Sequence, residues 1–169
     1  KKVFMDIVKP VNQSINEDFH SGTLSFELSC LNEKIITNCG AVNNKYSESP
    51  QYLRYSAAHS TTIINNTNIS ELIKGRAYKR APQNITINSI ENNESFTWEA
   101  SHDGYLKNYQ KIIKRKLQIS KKSDAIFGQD EIISTKINSR KESYSIRFHL
   151  MPHCNCLITN DKKTILIKT

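Results

Sequence analysis

The sequence predicts an all-β protein, an antiparallel β-sandwich of roughly ten or more strands. Three observations carry this. Isoleucine is abundant while alanine and leucine are scarce, and β-branched side chains suit a pleated surface better than a helix. Short segments alternate apolar and polar residues with a period of two. Turn residues separate these segments at spacings near the roughly 8 to 12 residues of sandwiches, without the alternating helical patterns of a parallel sheet.

The elements follow in chain order. Residues 3–8 read as a strand closed by Lys9-Pro10. Residues 24–30 set Leu24, Phe26 and Leu28 against Ser25, Glu27 and Ser29, a half-buried strand. The polar stretch 31–34 then turns the chain into a partner strand over 35–39, which Gly40 ends, so the two form a hairpin. Further strands are predicted over 60–64, 83–90, 95–100, 112–119, 131–137, 144–150, 156–159 and 164–168. The one predicted helix spans 70–74. No internal repeat and no long linker divides the chain.

A length of 169 residues suits one domain, and 37% hydrophobic with 24% charged residues supports a folded core. Five glycines and four prolines exclude collagen-like and proline-rich fibres. No apolar run approaches the roughly 18 residues of a spanning helix, so a soluble domain without a membrane span is expected. Ile, Asn and Lys supply 57 of the 169 residues, a bias that an AT-rich genome explains. The net charge of +8 favours a polyanionic partner, though part of it follows from that bias. The chain opens Lys1-Lys2-Val3 with no initiator Met and no signal-peptide core, which predicts a fragment of something longer.

No phosphate-binding glycine loop, nucleophile elbow or paired-histidine zinc helix is present, so chemistry rests on scattered residues. His20 precedes the first hairpin strand, Asn38 lies near the end of its partner, and His59 precedes the strand over 60–64. A turn at Asn32 and Glu33 makes facing positions sum to about 65, placing Asn38 opposite Glu27. An extended run of about seven residues would then carry His20 roughly 23 Å from that rung, so a shared site needs the segment to bend back. Otherwise the three are polar residues at turns and strand ends. His102 and Tyr105 flank the Asp103-Gly104 turn signal, either as an acid/base pair or as a packed turn.

Seven basic residues and no acidic one occur over 104–123, with Tyr105 and Tyr109 among them. Lys114, Arg115 and Lys116 at its centre could hold a polyanion, or the run is a strand with a solvated lysine face. The four cysteines define no framework. A bridge between Cys30 and Cys39 is disfavoured by the hairpin register, and Cys154 with Cys156, near His149 and His153, makes either a soft-metal pair or half-buried thiols.

Three segments resemble the C-terminal β-sandwich of heparinase II/III-like polysaccharide lyases: His20-Ser21-Gly22-Thr23-Leu24-Ser25-Phe26-Glu27-Leu28, Ile36-Thr37-Asn38-Cys39-Gly40 and Arg54-Tyr55-Ser56-Ala57-Ala58-His59-Ser60-Thr61. Glu99-Ala100-Ser101-His102-Asp103-Gly104-Tyr105 and Ile146-Arg147-Phe148-His149-Leu150 are similar to later segments of bacterial members. The resemblance implies a partner N-terminal helical toroid and β-elimination of an acidic, uronate-containing polysaccharide such as a glycosaminoglycan, in the periplasm or cell envelope. It implies a divalent metal, zinc or calcium, on His20, Asn38 and His59, with Asn38 where the family usually has Asp. Asp18 stands where the family's sandwich carries a catalytic His, so this chain supplies no catalytic residue of its own and is inactive without its helical domain. The residues expected to face substrate, read from the turn and the basic run, are His102, Tyr105, Lys114, Arg115 and Lys116. A second expectation, from another class, is a non-catalytic carbohydrate- or polyanion-binding module. No nucleic-acid motif accompanies the basic run, and nucleic acid is not an expected partner.

Overall fold

The computed structural model describes residues 1–10, 19–40, 51–73, 76–136 and 141–169. Fourteen strands occur among them. They are β1 (Lys2–Met5), β2 (Phe26–Cys30), β3 (Glu33–Thr37), β4 (Thr62–Ile64), β5 (Glu71–Ile73), β6 (Arg76–Arg80) and β7 (Ile85–Glu91). The series continues with β8 (Ser95–His102), β9 (Lys111–Ser120), β10 (Ile126–Ser134), β11 (Tyr144–Ile146), β12 (His149–Leu150), β13 (Asn155–Ile158) and β14 (Ile165–Lys168). One short helix, α1 (Leu106–Tyr109), and two 3-10 turns, Gln51–Arg54 and Ser56–Ala58, complete the described elements.

Two four-stranded antiparallel sheets face one another, one ordered β1-β2-β3-β12 and the other β10-β9-β8-β7. Smaller pairs, β11-β4, β5-β6 and β13-β14, flank them. The alternation along β9 explains the layering, because Lys111, Ile113, Arg115 and Leu117 are buried while the intervening residues are half-exposed. Leu24, Ile64, Ile69, Ala100, Tyr105 and Ile113 form the core between the layers, with Met5, Ile7, Tyr109 and Ile132 packed on it. The predicted all-β sandwich is therefore the observed fold.

The local differences have physical reasons. The segment predicted as a helix forms strand β5 instead, since Glu71 and Ile73 pair with β6 and five residues are too few to stabilise a helix alone; its last position, Lys74, lies outside the described residues. The hairpin turns at Leu31 and Asn32, with Leu31 left-handed at φ 55°, so Cys30 faces Glu33 and Leu28 faces Ile36. The register is one to two positions tighter than predicted and carries a bulge between Leu28 and Ser29. The predicted strand over 144–150 divides into β11 and β12, which join different sheets. Strand β10 begins at Ile126, earlier than predicted, and Ile137 lies outside the described residues. All four cysteines are free.

The two layers are tied by Arg115, whose side chain is only 2% exposed. Its Nε and Nη2 donate to the two carboxylate oxygens of Asp130 at 2.6 and 2.8 Å. Its Nη1 donates to the carbonyls of Leu24 and Ser60 at 2.8 and 2.7 Å, and its guanidinium carbon lies 5.4 Å from the Phe26 ring centroid. Planar, forked geometry lets one side chain serve a carboxylate and two carbonyls together, which an ammonium does less well. Arg115→Met alone strands the Asp130 carboxylate in the interior. It is expected to cost about 3 to 5 kcal/mol of stability, read by denaturant unfolding.

Candidate functional site

The loop before β2 is bent back by backbone bonds. Asp6 N donates to Ser25 O and Leu24 N to Asp6 O, both at 2.8 Å, while Ser25 N closes a turn onto Gly22 O at 2.8 Å. Leu24 takes φ 60°, a left-handed conformation uncommon for a leucine, and is fully buried. Ser21 is then locked onto the 3-10 region. Its N donates to Arg54 O at 2.9 Å, its hydroxyl meets that of Ser56 at 2.8 Å, and the same hydroxyl accepts Ser70 N at 2.7 Å. Ser56 Oγ in turn donates to Ser21 O at 2.7 Å.

This bend delivers His20 to His59, with ring centroids 5.1 Å apart and planes tilted by 44°. His59 is buried, and its Nε2 has no hydrogen-bond partner. Nε2 is thus a buried ring nitrogen left open on the side of the cluster. Burial first, and then the neighbouring charges of His20 and His149, push the His59 imidazole down to about 4. Gly22 backs the ring so closely that a Cβ there would sit 3.0 Å from His59 Cγ.

Asn38 joins the cluster through the backbone. Its Oδ1 accepts Ser60 N at 2.8 Å, and Cys39 N donates to Ala58 O at 3.1 Å. Ser60 Oγ donates to Thr37 O at 2.8 Å and accepts His149 N at 2.9 Å. The structure thus brings His20, Asn38 and His59 into one region. It adds His149, for which the sequence suggested no place in this cluster, with Nε2 placed 2.9 Å from Ala57 O. The signal for it was strand pairing, His149 facing Thr37 next to Asn38, which spacing does not reveal. Asp18 lies outside the described residues.

The other predicted contacts are not gathered there. His102 and Tyr105 are fully buried, so they face no substrate. Gly104 N donates to His102 Nδ1 at 3.0 Å and Tyr105 Oη donates to Thr67 O at 2.7 Å, which makes them a packed turn. Burial drives the imidazole down to about 3 and raises the phenol, so the pair does not exchange protons near neutrality. Arg115 is likewise interior rather than substrate-facing. Lys114 lies on the outer sheet face bonded to Glu99 at 2.9 Å, and Lys116 shares that face, opposite Glu99 and Gln129. Lys111, Lys121 and Lys122 also have carboxylate partners, in Glu142, Glu91 and Glu94. The basic run is largely neutralised within the fold.

The sequence model of one family, Heparinase II/III-like, C-terminal, matches residues 1–169. The chain belongs to this family. No curated protein and no solved structure matches it. Membership relates this heparinase II/III-like domain to polysaccharide lyases, with a polysaccharide substrate and a partner N-terminal domain. No helix among the described residues is long and apolar enough to cross a membrane.

The donor chemistry of the cluster is imidazole-rich. Among the described residues no three His, Cys, Asp or Glu side chains form a metal-holding group. Two imidazoles beside a neutral amide are a sparse set for zinc, which prefers His, Cys and carboxylate, and they do not suit calcium, which takes six or more oxygens. The buried Nε2 of His59, without a hydrogen-bond partner, is the donor of this cluster that is open to an ion.

His102 is neutral when buried, whereas the unfolded chain protonates it near the ordinary 6.5. Between about 6.5 and about 3 the unfolded state binds the extra proton, so stability falls as pH falls through this window and is flat above it. His102→Asn is expected to remove up to one proton, about 1.4 kcal/mol per pH unit, from that slope in denaturant titrations at pH 4 to 7.

Proposed function

We propose that this domain serves a lyase acting on uronate-containing polysaccharide, glycosaminoglycans included, by β-elimination, in the periplasm or cell envelope. Family membership over the whole chain carries the proposal. In such a reaction a base removes the C5 proton, the C4–O bond breaks, a C4=C5 double bond forms and the leaving oxygen takes a proton. Stabilising the carboxylate of the intermediate requires positive charge or hydrogen-bond donors aimed at it.

The N-terminal helical domain provides the reacting groups, because the imidazole and phenol of His102 and Tyr105 are sealed in the interior. The sandwich contributes the edge built from His20, Asn38 and His59. His59 Nε2 and the His20 ring would hold a zinc-type ion, while the Asn38 amide fixes the Ser60 backbone beside them. Bound there, such an ion would supply a positive charge at this edge of the sandwich. The separate polyanion-binding module loses its support, since Arg115 is buried and its neighbours face carboxylates.

The test is turnover of uronate polymers, followed by the absorbance of the unsaturated product. The 169-residue chain alone is expected to be silent, whereas the same chain joined to a helical domain of its family is expected to be active. Activity of the isolated chain, or silence of the joined protein on every uronate polymer, overturns the proposal.

A further inference from the structure

We propose that Arg115 is a positioning residue for the His20–His59 pair, acting through two backbone carbonyls and not through contact with substrate. The geometry is specific. One nitrogen, Nη1, donates to Leu24 O at 2.8 Å and to Ser60 O at 2.7 Å. Leu24 closes the loop that starts at His20, and Ser60 directly follows His59, so a single donor measures the gap between the two segments that carry the imidazoles. Asp130 fixes the plane of the guanidinium through two bonds, and the Phe26 ring lies 5.4 Å from its carbon.

The loop does not relax freely without this bond. Leu24 sits at φ 60° while fully buried, a conformation that surrounding contacts have to impose. Its carbonyl is held by Arg115 and its N–H by Asp6 O. Gly22, two residues earlier, lies against the His59 ring, so any rotation of the Leu24 peptide is transmitted to the imidazole. The basic strand thus contributes to the site from inside the sandwich, by placing the donors that would hold an ion.

The inference rests on the imidazole site proposed above, and the experiment separates the two. In the 169-residue chain, Arg115→Lys and the pair Arg115→Met with Asp130→Leu are compared with the pair Lys111→Met with Glu142→Gln, a matched change at another buried cation of the same strand and its carboxylate partner. Replacing both partners of a buried ion pair by apolar groups is often neutral for stability, so the double variant is the one chosen to fold. The readouts are the cross-relaxation between His20 and His59 ring protons in metal-free protein, the His59 ring-nitrogen tautomer by long-range 15N correlation, and zinc affinity by competition with a chromogenic chelator. Both Arg115 variants are expected to lose the ring contact, to change the tautomer and to bind zinc at least about tenfold more weakly, while the Lys111 and Glu142 double variant keeps all three. A folded Arg115 variant that retains the ring contact and the tautomer overturns the inference. Parent chain that binds no zinc overturns the metal site alone, and the ring contact still decides the role of Arg115.

Discussion

One buried guanidinium sets the spacing of this sandwich. Arg115 extends from the centre of β9 into the space between the sheets, where an unpaired charge would be costly, and every polar contact it makes there bridges separate segments. Asp130 neutralises it from the neighbouring strand, and the carbonyls of Leu24 and Ser60 lie in the opposing layer and its flank. Removing the cation while leaving its partner strands a carboxylate, so the pair is far more costly to break than it was to build.

The same device recurs at the edges of the domain. Arg54 donates from Nε to Phe19 O at 2.9 Å, and Arg80 donates from Nη1 to the carbonyls of Ile69 and Gly104. Ser21 and Ser56 add a sealed hydroxyl network that accepts the amides of Ile69 and Ser70. Non-strand backbone cannot satisfy its own carbonyls and amides through a ladder, so buried loops need side chains to do it. Here that requirement and the candidate site coincide, because the loops so fixed carry His20 and His59.

Period-two alternation made β2 legible from sequence, and β9 shows the matching burial most clearly, with Lys111, Ile113, Arg115 and Leu117 buried between half-exposed neighbours. Length decided where it failed. Glu71–Ile73 and His149–Leu150 are too short for a periodic signal, and their strand character comes from partners distant in the chain. The convergence of His20 on His59 rested on family resemblance alone, because the left-handed Leu24 that turns the loop back carries none of the usual turn chemistry. Arg115 was misjudged for a related reason. A lysine-rich strand reads as a cationic surface unless the alternation is carried through residue by residue, and that count turns Arg115 inward with Ile113 and Leu117.

Native-state hydrogen exchange of the 169-residue chain tests the central role of this clamp most directly. If Arg115 binds the layers and the histidine-bearing loops into one unit, the amides of Leu24, Ser60 and His149 exchange only through global unfolding, with the same free energy as the central amides of β9. Exchange of those three amides through a separate local opening, well below the global value, would show that the loops move independently of the guanidinium and would contradict it.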